Sequence, residues 1–316
     1  MQIRMSFRLA LVALSFATSS LAWSQSGASP VPGPRELLGL GQKRNASQPA
    51  RASLSVQPAA KVYKFASADF PGAATSLVFD ENTSTVLGDS SFSSSFGFTL
   101  KGGNYSALAI PGSTGNQATG INTAGAIVGI YSDFSSVLHG FLKNGATVTT
   151  LDLAGGTIEP IGINDAGEIV GGFIDAANVT HGFSSPDGHT FTTFDVPGST
   201  STTAAGVNTA GVISGLWTDA ANVGHGFIYS GGAFTTLDFP SATSTVAIGI
   251  NDNNDVAGYY EDAANVLHGF VYSNGTFKTV DVAGATSTQL TRIKNNGKIT
   301  GVYSDSNNES HGLTGH

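Results

Sequence analysis

The 316-residue chain contains no cysteine, which excludes disulfides, thiolate metal centres, a cysteine nucleophile and a lipid-modified cysteine. Charged residues make up only 11%, so the Lys, Glu and Arg that build solvated helices are scarce and little helix is expected. Beyond the amino-terminal segment, no apolar run approaches the roughly 18–20 residues that a membrane-spanning helix needs. A Gly-x-Ser-x-Gly nucleophile elbow and a Gly-Lys phosphate loop are also missing. No cofactor is implied.

What the chain has in quantity is glycine, 41 residues of it, together with abundant Ser and Thr. Met1–Ser24 reads as a secretory leader: Arg4 and Arg8 flank a short apolar core, Leu9–Leu14 with Phe16, and cleavage is expected after Ala22 or Ser24. Gln25–Ala60 is rich in Ser, Pro, Gln, Gly and Ala without hydrophobic period, the composition of a disordered tether. Residues 61–316 carry eight basic residues against 21 acidic ones, a net of −13. Such a body repels polyphosphate, so nucleic acid is not an expected partner.

Self-similarity dominates this body. His-Gly-Phe recurs at His139, His181, His225 and His268, with His311-Gly312-Leu313 as a fifth copy and Phe96-Gly97-Phe98 as a degenerate first. Successive spacings are 43, 42, 44, 43 and 43 residues. Each unit reads as four strands. The first ends in a turn such as Asn164–Gly167 or Asn251–Asn254, whose fourth residue is always Gly or Asn, as a left-handed turn position requires. The second carries a recurrent Gly (88, 129, 171, 215, 258, 301), followed two residues later by Tyr131, Phe173, Trp217, Tyr260 or Tyr303. These rings are expected to pack between neighbouring sheets. The third and fourth strands are joined by pairs such as Asn144-Gly145, Asp187-Gly188 and Asn274-Gly275, which predict two-residue hairpins.

The pattern begins at Val62–Phe70 with a fourth strand that has no third before it, and stops at His311–His316 with a third strand that has no fourth after it. Pairing the two closes a ring and removes both open edges. The predicted fold is an all-β six-bladed propeller whose last blade is completed by the amino-terminal strand.

Asp133, Asp175, Asp219, Asp262 and Asp305 each stand six residues before His139, His181, His225, His268 and His311. A carboxylate and an imidazole at fixed spacing suit metal binding or general-base work. Five copies point instead to a structural pair that pins the loop between strands two and three through a buried hydrogen bond. A second Asp closes strand four (Asp69, Asp152, Asp195, Asp238, Asp281) and reads as a turn-fixing group. Asn251–Asp255 lacks the acidic spacing of an EF-hand loop. No metal site and no catalytic residue is assigned.

Gly162–Gly171 and His268-Gly269-Phe270 resemble the HAF-type extracellular repeat of exported bacterial proteins, with Gly where that phrase has Ala. The resemblance covers Val62–His316 and implies export, but neither an activity nor catalytic residues.

Three functional readings remain. The first is an exported, monomeric, non-enzymatic binding or scaffold module for a glycan or cell-surface protein. It would use the loops between strands two and three and between strand four and the next unit, such as Ala220–Val223 and Ser241–Thr245. The second is a polysaccharide hydrolase or lyase with a site at the propeller axis. There the repeat is broken by charge at Asp80 and Glu81 in the first unit and at Arg292 and Lys294 in the last, which a closed ring makes neighbours. The third is a self-associating surface or matrix protein.

Overall fold

The computed structural model describes residues 63–67, 75–82, 84–91 and 95–316. The expected leader and tether, with Val62 and Ala68–Phe70 of the first expected strand, Asp69 among them, lie outside them. Among the described residues there are 24 strands and no helix, and hence no helix able to cross a membrane.

The chain enters at β1 (Phe65–Ser67). Blade 1 follows as β2 (Thr75–Glu81), β3 (Thr85–Ser91), β4 (Ser95–Lys101) and β5 (Asn104–Ala107). Blade 2 is β6 (Ser113–Ile121), β7 (Ile127–Asp133), β8 (Leu138–Asn144) and β9 (Thr147–Leu151). Blade 3 is β10 (Gly156–Ile163), β11 (Ile169–Asp175), β12 (Thr180–Ser185) and β13 (Thr192–Phe194). Blade 4 is β14 (Ser201–Val207), β15 (Ile213–Thr218), β16 (Gly224–Ser230) and β17 (Ala233–Leu237). Blade 5 is β18 (Ser244–Ile250), β19 (Val256–Glu261), β20 (Leu267–Ser273) and β21 (Thr276–Thr279). Blade 6 takes β22 (Ser287–Ile293), β23 (Ile299–Ser304) and β24 (Ser310–Gly315) from the carboxyl end and β1 as its outer strand.

Within each blade all pairs are antiparallel. The predicted closure is present: Phe65, Ala66 and Ser67 pair with Gly315, Thr314 and Leu313. The innermost strands β2, β6, β10, β14, β18 and β22 touch in turn, and β22 returns to β2. The fold is a six-bladed β-propeller.

The repeat's glycine and phenylalanine explain each other. A side chain on Gly171 would run into the Glu159 carbonyl and the ring of Phe183, and one on Gly215 into Thr203 and Phe227. The His-Gly-Phe ring therefore lies across the second strand, where only hydrogen can sit. Phe98, Phe141, Phe183, Phe227 and Phe270 are fully buried this way, and Leu313 takes the place in blade 6. Each contributes about 2–3 kcal/mol of burial. Tyr131, Phe173, Trp217, Tyr260 and Tyr303 pack against core clusters that join residues of their own blade to residues of the preceding one, as expected of rings between sheets.

One hairpin departs from expectation. Asp187-Gly188 is not a two-residue connection, because β12 stops at Ser185 and β13 resumes only at Thr192. Pro186 has no N–H to continue the ladder. The Asp187 carboxylate instead captures the N–H groups of His189 (2.8 Å) and Thr190 (2.6 Å), which pull its pKa down to about 2.

Candidate binding site at the propeller axis

Every innermost strand has a bulge at one place, two residues before its terminal turn. In blades 2 to 5 the residue after the bulge is Gly120, Gly162, Gly206 or Gly249, and a Cβ there would strike the next blade. For Gly162 the obstacle is the Ala205 carbonyl at 2.7 Å, and for Gly249 the Arg292 Cα at 2.6 Å. These glycines let adjacent inner strands approach to backbone contact.

Two residues later stands an asparagine that does two jobs. The Asn208 Oδ1 accepts the N–H groups of Ala210 (3.1 Å) and Val212 (3.0 Å) and holds its own turn. Its Nδ2 donates to the Asn251 carbonyl of the next blade at 3.1 Å. The same clasp runs from Asn82 to Asn122, Asn122 to Asn164, Asn164 to Asn208, and Asn251 to Lys294, at 2.9–3.2 Å.

The sequence of clasps changes character between blades 6 and 1. Asp80 and Arg292 occupy the bulge position that is glycine elsewhere, Glu81 replaces the usual Ile or Val, and Lys294 replaces the asparagine. The structure brings all four together, as the ring predicted. The Asp80 carboxylate is saturated: Oδ1 accepts from Glu81 N–H (2.8 Å) and Lys294 Nζ (2.8 Å), while Oδ2 accepts from Ile121 N–H (3.0 Å) and faces Arg292 Nε at 3.5 Å. The buried Arg292 guanidinium donates to its own Thr291 carbonyl and, across the axis, to the carbonyls of Thr119 (3.1 Å) and Ile161 (2.6 Å). Burial works against its charge and Asp80 works for it.

Glu81 is completed by Lys298, which donates to Oε2 at 2.6 Å. Burial still pushes the Glu81 carboxyl above the usual range, and Oε1 is buried without a hydrogen bond. Lys298 escaped the sequence reading because its position varies between blades (Ala126, Glu168, Val212, Asp255), so its charge breaks no pattern.

Above this cluster opens a funnel of about 530 Å³. Its floor is Asp80 and Arg292, and its rim is formed by turn residues such as Thr123, Asp165, Thr209, Asp252 and Asn295. Thr123 N–H donates to Asp165, and Thr209 N–H to Asp252, both at 2.8 Å, so the rim is hydrogen-bonded blade to blade. The funnel opens among the turns between first and second strands. Loops Ala220–Val223 and Ser241–Thr245, expected to present the binding surface, lie on the opposite face, because antiparallel blades send their second-to-third and fourth-to-first connections there.

On that opposite face each Asp–His pair turns out to belong to a longer chain. His139, His181, His225 and His268 direct Nδ1 at Asp152, Asp195, Asp238 and Asp281 (2.8–3.0 Å). Their Nε2 atoms face Asp133, Asp175, Asp219 and Asp262 at 3.3–3.6 Å. The loop Asp does pin its loop: Asp219 Oδ1 accepts the N–H groups of Ala221 and Val223, both at 2.8 Å. The pair is not buried, however. The loop Asp residues of these blades are about one-third exposed and the strand-four Asp residues more so, because both sit where strands emerge. Each imidazole lies against its cross-strand aromatic neighbour, most closely Trp217 and His225 at 4.4 Å between centroids. Histidine thus covers one side of each of these rings. The flanking carboxylates raise the pKa of His181 and His268.

No protein-family model matches the chain, and no curated protein sequence matches it. Among solved structures, the SapL1 lectin in complex with α-methyl fucoside is similar over 77% of this chain and 92% of that chain, at 12% identity and a TM-score of 0.52. The fungal lectin of Aleuria aurantia, a six-bladed β-propeller with a fucose recognition mode, matches over 73% and 86%, at 12% identity and a TM-score of 0.45. AofleA from Arthrobotrys oligospora matches over 77% and 83%, at 10% identity and a TM-score of 0.48. At such identities the likeness is one of fold, and the fold it supports is the six-bladed propeller that the strand order displays.

Proposed function

We propose that this protein is an exported, non-enzymatic binding module that takes a sugar unit of a glycan into the axial funnel. The observation that carries the reading is the funnel itself. Its volume of about 530 Å³ suits a small ligand rather than a protein surface. Its walls offer amide, carboxylate and hydroxyl groups from Asn, Asp and Thr at near-equivalent places around a ring, which suits the alternating hydroxyls of a sugar. The SapL1 structure, a fucoside complex of a similar fold, is in keeping with this chemistry.

A hydrolase or lyase is disfavoured by the state of the acids on the floor. Glycoside hydrolysis uses two carboxyl groups that flank the bond, roughly 5–10 Å apart. Here Asp80 and Glu81 are consecutive, their side chains are 3% and 2% exposed, and Asp80 is saturated by donors. Among the described residues lining the funnel there is no Phe, Tyr or Trp. Hydrogen bonds must therefore carry recognition, and single-site affinity is modest.

Thr123→Trp and Thr209→Trp fill the funnel from exposed positions and leave the floor untouched. On a glycan array, the full chain is expected to bind and the filled variants to lose at least tenfold in signal at unchanged melting temperature. Binding that survives filling would move the site elsewhere. A blank array together with a blank pull-down of cell-surface polysaccharide would end the glycan reading.

A further inference from the structure

The five loops that join second to third strands share one backbone. In each, the leading Asp accepts the N–H groups two and four residues on, as Asp305 does from Asn307 (2.8 Å) and Glu309 (2.9 Å). Each also has one residue in the left-handed region: Ser136, Asn178, Asn222, Asn265 and Asn308, all at φ of 58–62°. The blades are therefore controls for one another. Four carry Val137, Val179, Val223 or Val266 at the fourth residue after the Asp, and blade 6 alone carries an acid, Glu309.

The chemistry of the shared pair calls for a positive charge. In blades 2 to 5 the strand-four carboxylate lies 2.8–3.0 Å from Nδ1, which assigns the proton of the neutral imidazole to that nitrogen. The neutral ring then turns the Nε2 lone pair toward an oxygen of the loop Asp, so two acceptors face each other across 3.3–3.6 Å unless a cation or a second proton lies between them. Where the third neighbour is valine, it adds no further ligand atom. In blade 6 the gap from His311 Nε2 to Asp305 Oδ2 is the widest of the five, 3.7 Å. One ligating atom from each of Asp305, Glu309 and His311 falls within 4.8 Å of the other two. Two ligand atoms each about 2.1 Å from a shared ion stand roughly 3.0–3.5 Å apart, so a modest contraction of an exposed loop closes the set. Two carboxylates with one imidazole give a charge of −2 and a mixed oxygen and nitrogen field, which favours a transition-series dication over Mg²⁺ or Ca²⁺.

We propose that Asp305, Glu309 and His311 form a binding site for one divalent transition-metal ion, on the propeller face opposite the funnel. The site is independent of the sugar reading, and a failure of one leaves the other standing. Isothermal titration of the full, tag-free chain with Zn²⁺, and absorption spectroscopy with Co²⁺, test it. The expected result is one ion per chain, with affinity lowered at least tenfold in Glu309→Val, which gives blade 6 the residue of the other four. No binding, a stoichiometry of four or five, or unchanged affinity in Glu309→Val would overturn the proposal. A matching melting curve for Glu309→Val in metal-free buffer shows that any loss is not one of folding.

Discussion

The junctions inside the array and the junction that closes it solve the same packing problem with different chemistry. Between blades 2 and 3, 3 and 4, and 4 and 5, the inner strands meet through glycine and an asparagine clasp, neither of which uses an ion pair. Between blades 6 and 1 the glycines are Asp80 and Arg292, and the asparagine of blade 6 is Lys294, whose ammonium reaches Asp80. An internal junction joins segments that adjoin in sequence, and chain connectivity brings them together. The closing junction joins residues more than 210 positions apart, as in Lys294 to Asp80 and Lys298 to Glu81. Neutral clasps there would be indistinguishable from those of any other blade, whereas a charge pair fits only its complement and specifies which blade ends meet.

The sharpest way to break this comparison is Arg292→Ala. It leaves Asp80 buried with one cation fewer and strands the Thr119 and Ile161 carbonyls, so equilibrium unfolding is expected to show a loss of about 4 kcal/mol. The pair Asp80→Gly with Arg292→Gly installs the residue of the other four blades and should recover most of that loss. A double variant as unstable as the single one would show that the closure charges are not a self-contained substitution for the glycine contact.

A second expected effect concerns a buried acid that the internal blades handle without a partner. Glu159, on the innermost strand of blade 3, is buried, and its Oε2 has no hydrogen bond; burial pushes its pKa up to about 8. In the unfolded chain the carboxyl titrates near its ordinary value of 4.5. Below that, both states are protonated and the residue costs nothing. As pH rises from there to about 8 the unfolded state releases a proton that the folded state keeps, so stability falls across this window and levels off above it. Between pH 5 and pH 8 the loss should reach about 3 kcal/mol. Glu159→Gln, the residue at the same place in blades 2 and 6 (Gln117, Gln289), should flatten the profile. Equal pH profiles for the two proteins would mean that the carboxyl finds water or a counter-charge. Glu81, by contrast, is buried but paired, and shows what the closure supplies that blade 3 lacks.

How far the sequence could be read follows from the range of each interaction. Strands, turns and the completion of blade 6 by β1 were legible because they depend on local chemistry: Asn-Gly and Gly-Gly pairs, left-handed positions such as Gly167 and Asn254, and unmatched strands at the two ends. Asp80, Glu81, Arg292 and Lys294 were legible as candidates because a repeat makes any break visible. The asparagine clasp was not, since Asn208 already has a local role in its turn and nothing in the spacing shows that its amide reaches a carbonyl 43 residues on. The strand-four Asp read as a turn former for the same reason, although Asp238 reaches across to His225. The funnel itself was not legible as the surface of a binding module, because small polar loops attract attention for that role while the turns of the inner strands, among which it opens, read as structural.

The smallest expected effect tests the clasp itself. Asn208→Ala removes two acceptor contacts that fix its turn and two donor contacts into the next blade, to the Asn251 carbonyl, which keeps only the Asn254 N–H, and to Asn254 Oδ1. Four neutral hydrogen bonds of this kind, at the low end of their usual range, sum to about 2 kcal/mol. Asn208→Asp separates the two roles. The carboxylate can still accept from Ala210 and Val212, but it has no N–H to donate and sets a negative charge against the Asn251 carbonyl. If the inter-blade clasp matters as much as the turn, Asn208→Asp will be at least as destabilised as Asn208→Ala at pH 7 in a denaturant titration, and will recover toward the wild type as the carboxyl protonates at low pH. If the Asp variant instead matches the wild type at pH 7, the turn is the whole role of the asparagine. The internal junctions would then rest on the glycine contact and on rim hydrogen bonds such as Thr123 to Asp165, which would leave the closure as the one junction held by ion pairs.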